Sequence, residues 1–156
     1  IPDPRLQPDH VTFDVMVRKC SSAINSAINN GDSVDTRSHL QMLDRLLQHM
    51  KPVPKLRDSI FCNIIQTCSA RLASAGRDGS SNRHGDDMAD EERRHEEWIQ
   101  HVAPVVAECK RRGVVSRKVL MLLRRGSIRP SRSTMERVLG TADTHSMPRE
   151  WSRNVP

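Results

Sequence analysis

The side chains equipped for chemistry are four cysteines (Cys20, Cys62, Cys68, Cys109), seven histidines, an aspartate group at Asp86, Asp87 and Asp90, and many arginines toward the C-terminus. Metal binding needs ligands at short, regular spacing. The cysteines lie far apart with no Cys-x-x-Cys, and the histidines form no such cluster. His95 and His101 are six residues apart and do not share a helix face, so they make no acid–base pair. Asp86 to Asp90 lacks the ligand spacing and turn glycine of a calcium loop and reads as a solvated segment. An enzyme is not expected, and neither a cofactor nor a metal is called for. The cysteines read as reduced structural thiols, with a disulfide as the lesser alternative on an even count.

The cations carry a different chemistry. Residues 1–109 hold 13 Lys or Arg against 16 Asp or Glu, a balance of −3, whereas residues 110–156 hold 12 against 3, a balance of +9. Arg111, Arg112, Arg117, Lys118, Arg124 and Arg125 supply half of those 12. Arginine suits bidentate contact with phosphate and stacking on bases, so a polyanion is a sensible partner. A solvated, solubilising face is the plain alternative. The densest apolar run, Val119 to Leu123, is five residues long, which excludes a membrane span. The Arg-rich segment around it has an apolar face too short for firm attachment to an anionic membrane.

The elements that position these groups are helical. Composition is 36% hydrophobic but only 3% aromatic, so burial rests on Leu, Ile, Val, Met and Ala, a palette that favours helices. Phe13, Met16, Val17, Cys20 and Ile24 form one helical stripe, and Phe61, Ile64, Ile65, Cys68 and Leu72 repeat it at an offset of 48 residues. Each first helix precedes a polar stretch and a second helix. In the first unit Asp35 or Thr36 caps a helix with Leu40, Leu43, Leu46, Leu47 and Met50 on one face, ended by Pro52 and Pro54. In the second, the polar loop 76–90 leads to a helix buried through Trp98, Val102, Val105, Val106 and Cys109. Pro104 should kink or divide that helix near His101. Ser116 caps a short helix that Gly126 stops, Ser133-Thr134-Met135-Glu136 reads as a capping box for a last helix ending at Gly140, and Trp151 offers a dock for the unpatterned tail. The expected fold is all-α, a helix-turn-helix repeat array. Its divisions are a linker at 1–7, hairpins at 8–57 and 58–113, short helices at 114–140 and a tail at 141–156. A start at Ile1 without a methionine is what a piece of something longer is expected to show.

Pro8-Asp9-His10-Val11-Thr12-Phe13-Asp14-Val15-Met16-Val17 resembles the opening of a pentatricopeptide repeat (PPR). Leu43 to Lys51 resembles the end of that repeat's second helix, Pro52 to Pro54 its closing turn, and Ser59 to Ile65 a second opening. The resemblance implies helical hairpins stacked as an α-solenoid that binds single-stranded RNA in mitochondria or plastids, one base per repeat read by two or three side chains. By position it places base-reading residues at Asp14 and Cys62, with partner positions at Asp9 and Arg57. Arg18 accompanies Asp14 on the inner helix face, and the C-terminal cations named above contact phosphates. The chain then acts as a monomer within a longer array in RNA processing, stability or translation. The competing expectation is a scaffold for protein partners resembling tetratricopeptide arrays, in which the same hairpins form a peptide groove.

Overall fold

A computed structural model describes residues 8–31, 36–75, 87–141 and 143–156. The described residues are all-helical, with no strand: α1 His10–Asn29, α2 Thr36–Met50, α3 Asp58–Ala75, α4 Asp87–Arg112, α5 Arg117–Arg125 and α6 Arg132–Leu139, followed by a 3₁₀ turn at Arg149–Ser152. The polar segments expected between the paired helices lie largely outside the described residues, as does Asp35.

Helix starts follow from capping chemistry. Asp9 Oδ1 accepts from the Thr12 backbone N–H at 2.8 Å and from its hydroxyl at 2.8 Å, which starts α1. Ser116 caps α5, as expected, by accepting from Val119 N. The expected capping box at Ser133 is corrected: the cap is Ser131, whose Oγ accepts from Thr134 N at 3.2 Å, so α6 starts two residues earlier. α4 runs undivided through Pro104. The proline removes one hydrogen bond, but Trp98, Ile99 and Val102 before it and Val105, Val106 and Cys109 after it are all buried, and this packing keeps both halves helical.

The packing places α3 at the centre. It contacts α1, α2, α4 and α5; α2 touches α4, α4 touches α6, and the 3₁₀ turn rests on α4. Phe61, Ile64, Ile65, Cys68 and Leu72 of α3 are all buried, and so are Ile60, Cys62, Thr67, Ser69 and Arg71 on its other sides. In α1 the equivalent stripe is only partly covered. Phe13, Val17 and Ile24 are buried and Cys20 is half-buried, but Met16 is 40% exposed because α1 has helices on fewer sides than α3. Two polar links lock neighbours: Thr67 donates to Ser21 Oγ at 2.9 Å between α3 and α1, and the buried Trp98 indole donates to Ser69 Oγ at 2.9 Å between α4 and α3. Trp151 docks as anticipated, with the Lys110 ammonium 4.2 Å from its ring centroid and its carbonyl accepting from Val115 N.

Candidate nucleic-acid interface

Helices α1 and α5 each pack on α3, and the candidate residues divide according to which of these helices they occupy. On α1, Asp14 and Arg18 are i,i+4 neighbours joined in an exposed ion pair. Between α1 and α3 runs a groove of about 560 Å³, lined by Arg18, Ser21, Ser22, Asn25, Ser26, Asn29 and Asn63. Ser21, on its lining, is tied to α3 by the Thr67 hydrogen bond. Amides and hydroxyls beside a guanidinium can donate to and accept from base edges, while the guanidinium stacks or binds phosphate.

Cys62 requires a correction. It is 1% exposed, and burial, aided by the charge of Asp58, pushes its thiol up to about 11, with Lys118 pulling the other way. A neutral thiol sealed between helices cannot read a base. The next residue, Asn63, does reach the groove. α5, which carries Lys118, packs directly on α3. Arg117 and Lys118 are exposed in the first turn of α5, where no acidic residue offsets them at the positive end of the helix dipole. Helix stability alone does not call for two cations there.

Arg112 is the second correction. Only 9% exposed, it donates to Glu108 at 2.7 Å and to the carbonyls of Val53 (2.6 Å), Met50 (2.8 Å) and Lys51 (3.0 Å). Its guanidinium therefore caps the end of α2 and is unavailable to phosphate. Arg111 pairs with the same Glu108 while remaining exposed. Burial pushes the Glu108 carboxyl up, but the hydrogen bonds and charges of Arg111 and Arg112 outweigh it and hold the group below the ordinary carboxylate range.

The remaining candidates are scattered. Asp9 is committed to capping α1, and the Thr12 backbone and side-chain hydrogen bonds lower its carboxyl. Arg57 is exposed at the start of α3, in a different cleft. Arg124 lines a hollow of about 420 Å³ with Ser131, Arg132 and Asp143 at the start of α6, and Arg125 is exposed at the end of α5. Asp14 and Arg18 thus fall on α1 and Arg117 and Lys118 on the first turn of α5, whereas Arg111 and Arg112 lie at the end of α4 and Arg124 and Arg125 at the far end of α5. The groove polar residues Ser21, Asn25, Asn29 and Asn63 were missed, although Ser21, Asn25 and Asn29 sit at four-residue steps along one flank of the apolar stripe and form a legible second face.

Among the described residues no group of His, Cys, Asp or Glu could hold a metal ion, and no helix is long and apolar enough to cross a membrane. All four cysteines are free thiols. No protein family, curated protein or solved structure significantly matches this chain.

Proposed function

We propose that this chain is an RNA-binding helical-repeat protein, a part of a longer PPR-like α-solenoid acting in RNA processing, stability or translation in mitochondria or plastids. Single-stranded RNA crosses α1, α3 and α5, with bases against the polar groove and phosphates on Arg18, Arg117 and Lys118. The observation that carries this reading is the groove itself: seven lining residues, all amide, hydroxyl or guanidinium, placed on neighbouring first helices of successive hairpins. The pairing of α1 with α3 and α3 with α5, and of α2 with α4 and α4 with α6, is what stacked hairpins require.

Filter binding of single-stranded RNA at two salt concentrations tests it. Replacing both Arg18 and Lys118 with Gln should weaken binding across sequences and lower the salt slope by about 0.7 per lost single-strand phosphate contact. Asn63→Ala should weaken binding with no change in slope. Salt-insensitive binding, or none, refutes the proposal.

One observation favours the scaffold reading. A cleft of about 610 Å³ lined by Phe13, Met16, Leu46, Pro52, Val53 and Pro54 is mainly apolar, and Val11 and Val15 are exposed on α1. A partner retained after ribonuclease treatment, and lost in Met16→Asp, would support it over RNA.

A further inference from the structure

A cleft of about 910 Å³ lies between the α2–α3 turn and the last residues of the chain, away from the polar groove. Lys55 and Arg57 form one wall and Arg153 the other, with Asp58 and Arg112 also on the lining. Arg112 is consumed by Glu108 and the α2 carbonyls. Lys55, Arg57 and Arg153 have no carboxylate within ion-pair distance among the described residues, and Asp58 pairs with none of them. Arg93 and Arg137, by contrast, are each paired with a carboxylate, Asp90 and Glu96. Lys55, Arg57 and Arg153 line the same space, with Asp58 and the terminal Pro156 also on the lining and Arg153 donating to the Arg111 carbonyl at 3.4 Å.

The cleft is also built rather than incidental. Asn154 N donates to Gly113 O at 2.8 Å and Asn154 Nδ2 donates to Arg112 O at 2.7 Å, pinning the tail to the α4–α5 turn. Gly113 holds a positive φ of 68°, and a Cβ there would stand 2.6 Å from Arg153 Cγ, so the missing side chain is what lets Arg153 lie across the turn. Lys55, across the cleft, has φ 59°, a left-handed conformation that is unfavourable for an L side chain. A glycine would hold that turn with less strain, yet a lysine stands there.

We propose that this cleft is a phosphate-group site, with Lys55, Arg57 and Arg153 as its cationic ligands. The phosphate comes either from a nucleic-acid strand or from a small phosphorylated ligand, since the recognising chemistry is the same. The site does not depend on the RNA reading of the α1–α3 groove.

The test follows the arginine Nε–H resonances of the whole chain during titration with inorganic phosphate, against sodium chloride at matched ionic strength. Saturable shifts at Arg57 and Arg153, absent with chloride, are expected. Arg57→Gln, Arg153→Gln and Lys55→Gly should each weaken the phosphate response about tenfold, the size of one lost charge-assisted hydrogen bond. Lys55→Gly removes the charge while relieving the positive φ, so it separates lost binding from lost folding: the thermal midpoint should hold or rise as affinity falls. Shifts that chloride reproduces, or that survive Arg57→Gln and Lys55→Gly, overturn the site. RNA oligonucleotides with and without a 5′-phosphate then identify the source. A preference for the phosphorylated end marks a terminal phosphate and equal shifts mark the backbone. If phosphate binds the cleft and no RNA binds the protein, the site stands and the RNA function falls; the reverse result removes the site alone.

Discussion

Replacing Arg112 with Met tests whether this arginine is a structural clamp rather than an RNA contact. The substitution keeps a long apolar stem but removes donors from Glu108, Met50 O, Lys51 O and Val53 O at once. Glu108 is 5% exposed, and breaking a buried pair from one side costs about 3–5 kcal/mol. Arg111 still reaches Glu108, which argues for the low end, about 3 kcal/mol. At about 2–4 °C per kcal/mol for a domain of this size, the thermal midpoint should fall by about 6–12 °C. Thermal and urea melts followed by circular dichroism read this directly. The double variant Glu108→Gln with Arg112→Met should recover at least about 1 kcal/mol relative to the sum of the singles, because it leaves no unpaired buried charge. The pH dependence has a definite sign. Because the folded carboxyl is held below its ordinary value, Glu108 contributes stability at pH above about 4.5, and that contribution is lost as pH falls through the lowered folded value. Arg112→Met should flatten this acid limb. A midpoint change under about 2 °C, or strictly additive singles, would refute the clamp.

Other outcomes are open to simple measurement. Ser69→Ala leaves the buried Trp98 N–H without its acceptor and should cost about 1–3 kcal/mol in chemical denaturation, with a shift in tryptophan emission. Burial pushes Cys68 up to about 12 and Cys109 well above the usual thiol range, so Cys62, Cys68 and Cys109 should resist a thiol reagent in the native state while half-buried Cys20 reacts first. All four should react once the chain is unfolded. Gly113→Ala forces a Cβ to within 3.0 Å of Glu150 O and 2.6 Å of Arg153 Cγ at a positive φ; it should free the tail, which limited proteolysis near Trp151 would detect.

Much of the helical layout was legible because amphipathic spacing is a local property. The stripes of Phe61 to Leu72 and Trp98 to Cys109 are buried throughout, and the Ser116 cap and the Gly126 stop stand where local chemistry puts them. Met16 broke the pattern because burial depends on how many neighbours a helix has, which no periodicity in α1 encodes. Cys62 failed for the converse reason: α3 is covered on nearly every side, so a position equivalent to partly exposed Asp14 is sealed. Arg112 looked identical to Arg111 in sequence, and only the approach of the α2 end, about sixty residues earlier, turned it inward. The Lys55, Arg57 and Arg153 cleft joins residues nearly a hundred positions apart and had no local signature.

The central place of α3 bears on how the chain comes apart. A helix packed against α1, α2, α4 and α5 cannot be exposed by peeling one end away without stripping a wall from the rest. Its amides should therefore exchange with solvent only through global opening, and those of α1 through cheaper partial openings. Cutting the chain at the α2–α3 turn would not yield two independent units, since Phe61, Ile64 and Ile65 would lose partners on one side. Two hairpins that look like interchangeable copies in sequence are thus unequal in energy, the second serving as the keel on which the first is laid.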